Sequence, residues 1–67
     1  MTVAKSIEIS AESRESFDHA IRKGIRRAHE TVENLRSVWI ENQEAMIGND
    51  GEIETFRVWM KATFILD

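Results

Sequence analysis

The sequence predicts an α+β protein, with one domain over residues 1–67 in the order β-α-β-β: a small sheet of three strands, the last two joined in a hairpin, and one helix. One segment has the periodicity of an amphipathic helix, three segments alternate between apolar and polar residues, and a GNDG turn separates the last two. One helix can bury only one face of such a sheet. The opposite face must therefore meet a second copy of the chain, a ligand or both.

The first strand is predicted at residues 2–10 and the helix at residues 14–33. Ser13 is the expected N-cap, and Glu15 is expected in the first turn, where a carboxylate suits the helix dipole. Small and apolar residues of the helix recur at spacings of three and four: Phe17, Ala20, Ile21, Gly24, Ile25, Ala28 and Val32. Gly24 lowers helix propensity within this stripe, which indicates a close approach of the helix to the sheet.

The second and third strands, Leu35–Ile47 and residues 52–66, are predicted to form a long hairpin around the turn at residues 48–51. A change of phase early in the third strand predicts a β-bulge near Glu54.

The alternation of the hairpin separates two faces. The face that the helix covers is predicted to carry Val38, Ile40, Phe56, Val58, Met60, Ala62, Phe64 and Leu66. The opposite face is predicted to carry Ser37, Trp39, Glu41, Gln43, Arg57, Trp59, Lys61, Thr63 and Ile65. The predicted helix–sheet core contains Phe17, Ile21, Ile25, Val58, Met60 and Phe64. Both tryptophans thus fall on the uncovered face.

The chain is small, acidic and free of cysteine, with 67 residues, a net charge of −3 and 42% hydrophobic residues. The absence of cysteine excludes disulfides and thiolate zinc sites, and a domain of this size without such links commonly gains stability by oligomerisation. The negative charge argues against nucleic-acid binding, and the apolar runs are too short to span a membrane. No signal peptide is apparent, so we expect a cytoplasmic protein.

No catalytic constellation is visible, and we expect no enzyme activity. His19 and His29 are ten positions apart on the helix, whereas a metal-binding pair prefers three or four. Glu15, Glu41 and Glu44 supply oxygen ligands that could hold a hard cation if symmetry brought copies together, with inter-subunit salt bridges as the alternative. Metal binding therefore remains one of two interpretations of these carboxylates.

The two tryptophans also have two interpretations. Each could fill a subunit interface, where the indole buries a large area and needs one partner for its N–H group. Each could instead offer an aromatic face on which a flat ligand stacks. Residue type alone favours the first interpretation.

Several short segments carry a resemblance to a known family: Ser16-Phe17 at the helix start, Ala28 with Thr31 and Asn34-Leu35 near its end, Gln43, and Phe64-Ile65-Leu66. Together with the length and the element order, they make the chain similar to the dodecin family. The resemblance implies β-α-β-β protomers, each with a three-stranded antiparallel sheet wrapped around its helix. It further implies that trimers of these protomers assemble into a hollow homododecamer. It also implies flavins held in stacked pairs at subunit interfaces, for storage or sequestration rather than catalysis.

The chain departs from flavin-binding dodecins, which carry a tryptophan at the position of Ser37 and a glutamine at that of Arg57. The resemblance therefore implies a weakened or altered flavin site in which Trp39 partly replaces the missing indole. The expected ligand is FMN, another flavin, or another anionic aromatic compound paired with Arg57 and Lys61. The candidate ligand-binding residues are Ser37, Trp39, Gln43, Arg57 and Trp59.

The alternative is a cation-binding or purely structural dodecin-like assembly. Some relatives that lack the tryptophan and carry arginine at the position of Arg57 resemble calcium-binding dodecins. Glu15 and Glu41 are then the candidate ligands of a divalent cation. In the purely structural assembly, Glu41 is the carboxylate expected to form inter-subunit salt bridges with Arg57.

Overall fold

Residues 2–66 are described by a computed structural model, which contains the predicted elements in the predicted order. The elements are β1 (Ala4–Ser13), α1 (Phe17–Thr31), β2 (Leu35–Ile47) and β3 (Ile53–Ile65). The bounds of β2 are those predicted. No helix within residues 2–66 has the length and hydrophobicity needed to cross a membrane.

The three strands form one antiparallel sheet in the order β1-β3-β2, so β3 is the central strand. The β1–β3 register runs without interruption from Ala4 opposite Ile65 to Ser13 opposite Phe56. Because side chains directly opposite each other share a face, this register defines which residues face α1. The predicted α+β fold with a three-stranded antiparallel sheet is confirmed.

The first strand is longer and the helix starts later than predicted. β1 continues to Ser13, and Ser16 is the N-cap, with extended backbone and a side-chain oxygen that accepts from the His19 N–H at 2.9 Å. Glu15 precedes the helix, and Asp18 is the acidic residue of its first turn. The assignment of Ser13 as N-cap was wrong because both serines satisfy the sequence pattern of a cap.

The helix also ends earlier than the predicted residue 33. Val32 has extended backbone and caps the helix by donating its N–H to the Ala28 carbonyl at 2.9 Å. Asn34 follows with φ of 60°, in the left-handed region that asparagine tolerates better than most residues. This residue reverses the chain into β2.

The core lies between α1 and the central strand, where Ala20, Val58 and Met60 form a cluster of fully buried residues. Ala62 is also fully buried but lies outside this cluster. Phe17 and Ile21 are half-buried and pack against this cluster. Ile25 and Phe64, also predicted as core residues, are only half-buried and lie outside the cluster. Small residues of the helix occupy the closest contact instead: Ala20, Gly24 and Ala28.

Gly24 has the predicted role. A Cβ atom at this position would lie 2.6 Å from the Met60 methyl carbon and 3.2 Å from the Ala11 Cβ. The helix therefore approaches the sheet at a distance that only glycine permits without displacement of its neighbours.

The hairpin contains the bulge predicted near Glu54: Met46 is opposite Thr55 and Ile47 is opposite Ile53, so Glu54 has no partner. Two further irregularities leave Arg36 and Glu41 of β2 without partners. Each such extra residue reverses the face of the sheet to which every following residue of the strand points.

The predicted placement of Gln43 on the face of the tryptophans is wrong, because Glu41 is an extra residue in β2. Gln43 lies opposite Val58 in the register, on the side that faces α1, and not on the face of the tryptophans. Asn42 takes the place opposite Trp59, and Glu44 lies opposite Arg57. Simple alternation from Trp39 could not anticipate this because no glycine and no change in the apolar pattern marks the bulge.

We expect Met60→Ala to lower the free energy of unfolding by about 2–5 kcal/mol, because it would leave a cavity in a fully buried site. Denaturant titration at one protein concentration measures the loss. Met46→Ala is the matched control. Met46 is half-buried near the hairpin tip, so its replacement should lower the free energy of unfolding by less. Equal losses in the two variants would show that the helix–sheet contact is not the main core.

Candidate binding site on the outer face of the sheet

The face of the sheet that points away from α1, here called the outer face, carries residues from all three strands. The register assigns to it Ser6, Glu8, Ser10 and Glu12 of β1, Arg57, Trp59, Lys61 and Thr63 of β3, and Ser37, Trp39, Asn42 and Glu44 of β2. Glu41, the extra residue of β2, points to the same face because its carboxylate lies 3.9 Å from the Lys61 ammonium. Within residues 2–66, no helix or strand covers this face.

Both tryptophans lie on the outer face, as predicted, but in different surroundings. Trp39 lies opposite Lys61 and is 73% exposed. Trp59 is half-buried on the central strand, between Ser10 and Asn42. An indole as exposed as that of Trp39 is unusual unless the surface has a partner.

Arg57 is held by two carboxylates of its own chain. Its Nη2 lies 3.3 Å from the Glu12 Oε2, and its Nη1 lies 3.9 Å from the Glu44 Oε1. The guanidinium carbon also lies over the Trp59 ring, 5.7 Å from its centroid, in a cation–π contact. Within this chain, Glu41 pairs with Lys61, and its expected salt bridge with Arg57 of another subunit stays a prediction.

Ser37 and Arg57 are separated within one protomer. Ser37 lies opposite Thr63, six positions along β3 from Arg57 and hence roughly 20 Å away. A ligand that contacts both positions would have to lie between two copies of the chain.

A shallow concavity of about 570 Å³ lies beside Trp59 on the outer face. It is lined by Glu8, Glu41, Asn42, Gln43, Glu44 and Trp59. Gln43 thus borders this surface although its register position belongs to the other side. The lining contains three carboxylates and no basic residue.

The two candidate metal ligands do not converge within one chain. Glu15 lies next to the helix start, with its carboxylate 3.2 Å from the His19 Nε2, whereas Glu41 lies on the outer face. Within residues 2–66, no three acidic or imidazole side chains are grouped closely enough to hold a metal ion. Metal binding through Glu15 and Glu41 therefore remains a prediction that requires several copies.

Ser13, His19 and Glu15 form a cluster with the residue types of a hydrolytic triad. The Ser13 Oγ lies 2.6 Å from the His19 Nδ1, and Glu15 contacts the other ring nitrogen. Ser13 is only 5% exposed, however, and its Oγ also accepts from the Glu15 N–H at 2.9 Å. A nucleophile must reach its substrate, so this geometry suits the anchoring of β1 to the helix start.

Comparison with known proteins identifies the family. The model of the Dodecin family matches residues 3–67. Dodecin from Streptomyces davaonensis is 36% identical, with 98% of this chain and 96% of that chain covered and a TM-score of 0.90. No curated protein gives a significant match. The chain therefore belongs to the dodecin family.

Two further solved structures extend the comparison. A point variant of the T. thermophilus dodecin is 25% identical, with 100% of this chain and 98% of that chain covered and a TM-score of 0.91. The calcium-chelating calcium dodecin from Mycobacterium tuberculosis is 26% identical, with 97% and 91% covered and a TM-score of 0.82. The family thus includes a calcium-binding protein of similar fold.

We expect Ser13→Ala to lower the free energy of unfolding by about 1–3 kcal/mol, because it would leave the Glu15 N–H and a ring nitrogen of His19 without their partner. Ser10→Ala, on the exposed outer face, is the control and should change stability by less than about 0.5 kcal/mol. Equal unfolding midpoints for both variants in urea would contradict the anchoring role.

Proposed function

We propose that this chain assembles with copies of itself into a hollow shell of twelve and holds a small planar ligand, of the flavin type, between copies. Its role is storage or sequestration, with no catalytic step. The observation that carries the proposal is the uncovered outer face with its exposed tryptophan, Trp39. Membership of the dodecin family supports it.

Self-assembly is supported by the apolar surface that one protomer leaves exposed. Trp39 is 73% exposed, and Ile47 and Ile53 are 60% and 50% exposed. Both isoleucines lie near the hairpin tip, beyond the point where β1 ends opposite Phe56. A two-stranded tip without a third strand is only marginally stable in water, so contact with another copy would stabilise it.

Ligand binding between copies is supported by the available aromatic surface. One face of the Trp59 indole is occupied by Arg57, whereas Trp39 offers an open π-face. A flavin such as FMN or riboflavin could stack there, with its ring edge near the polar groups of the outer face. Since Ser37 is too small to stack, we propose that binding is weaker than in relatives with a tryptophan at this position.

A second function, binding of a divalent cation such as calcium, is favoured by one observation. The concavity beside Trp59 combines the carboxylates of Glu8, Glu41 and Glu44 with side-chain amides, and hard cations prefer such oxygen ligands. The similarity to the calcium dodecin of M. tuberculosis supports this alternative. The site would need ligands from at least two copies.

We expect Ser37→Trp to strengthen riboflavin binding about fivefold or more, because each new stack contributes roughly 0.5–1.5 kcal/mol and a symmetric site contains two. Quenching of flavin fluorescence measures the affinities. Ser37→Leu is the matched control, since it adds apolar volume without an aromatic face.

An equal gain in the leucine variant would show that stacking does not determine the affinity. If neither the natural chain nor Ser37→Trp quenches flavin fluorescence, the flavin proposal fails. Calorimetric titration of the same samples with calcium then tests the second function.

A further inference from the structure

We infer that Glu12 and Glu44 determine which charge the ligand of this face can carry. This inference rests on the proposed function. Because both carboxylates pair with Arg57, its guanidinium is not available to bind the phosphate of a phosphorylated flavin. The site then has no preference for FMN over riboflavin.

The geometry behind this inference spans all three strands. Glu12 of β1 and Glu44 of β2 both lie directly opposite Arg57 of β3, so one guanidinium is placed between two carboxylates. The side chain of Arg57 is 32% exposed, and the Trp59 ring lies beneath its guanidinium. Its two Nη atoms are therefore directed to Glu12 and Glu44 rather than to an open pocket.

The net charge of the outer face also disfavours a phosphorylated ligand. Among the residues that the register or an ion pair assigns to this face, the cations are Arg57 and Lys61, and the carboxylates are Glu8, Glu12, Glu41 and Glu44. Subtraction of four negative charges from two positive charges leaves −2 for each copy, and Lys61 already lies 3.9 Å from the Glu41 carboxylate. A flavin phosphate, at about −1.5 to −2, would thus approach a surface of its own sign.

A second copy related by symmetry does not neutralise this excess of negative charge. A second copy that applies the same outer face to the site brings a further excess of two negative charges. Any attraction for a phosphate would have to come from cations of another surface, such as the exposed Arg26 or Arg27 of a neighbouring helix. In that case the natural protein would prefer the phosphorylated ligand, and the inference would be wrong.

Glu44→Gln is the decisive variant because it preserves the side-chain shape and removes one carboxylate from Arg57. The measurement is the ratio of FMN affinity to riboflavin affinity, obtained by fluorescence quenching of both ligands with the assembled protein. We expect a ratio near or below one for the natural chain. The ratio should rise about fivefold in the variant at low salt, since one charge near the phosphate has been removed.

The control is Glu30→Gln, which removes the same charge from the exposed surface of α1 and should leave the ratio unchanged. The rise in the Glu44→Gln variant should shrink at high ionic strength, and Glu12→Gln should act in the same direction. A general loss of structure would change the affinities for both ligands and not their ratio.

A natural protein that binds FMN at least tenfold more tightly than riboflavin would overturn the inference. So would a Glu44→Gln variant whose ratio matches that of Glu30→Gln. If neither the natural chain nor its variants bind either flavin, the proposed function is wrong. The inference that rests on it is then wrong as well. Measurable riboflavin binding with an unchanged ratio would overturn only the inference.

Discussion

The organisation of this protein depends on one constraint: a single helix covers one face of a three-stranded sheet. Gly24 brings the helix so close to the central strand that Met60 is fully buried beneath it. A helix of 15 residues is about 22 Å long, whereas each hairpin strand of 13 residues spans roughly 43 Å. The helix therefore cannot cover the hairpin, and the remaining surface is available for other copies and for ligands.

Much of this fold could be predicted from local patterns. The bounds of β2, the bulge at Glu54 and the close approach at Gly24 follow from alternation, phase and glycine placement. The N-cap could not be chosen correctly, because Ser13 and Ser16 both fit a cap and only the sheet register shows that Ser13 ends β1. Local signals therefore identify elements better than they identify the residues at which elements meet.

The candidate site was harder to predict because it depends on the bulge at Glu41. Without that extra residue, alternation from Trp39 would place Gln43 on the outer face and Glu44 on the face of the helix. With it, Glu44 lies opposite Arg57 and completes the pair of carboxylates that hold the guanidinium. The sequence showed which face is uncovered, whereas the ion pairs on that face required the three-dimensional register.

Under the proposed function, other copies of the chain cover the outer face. The most direct test is the mass of the purified protein at micromolar concentration and neutral pH, measured by light scattering. Twelve chains of 7.8 kDa correspond to about 94 kDa, the mass that a closed shell predicts. A mass near that of one chain would contradict the account, because Trp39 and the isoleucines of the hairpin tip would then be exposed to water.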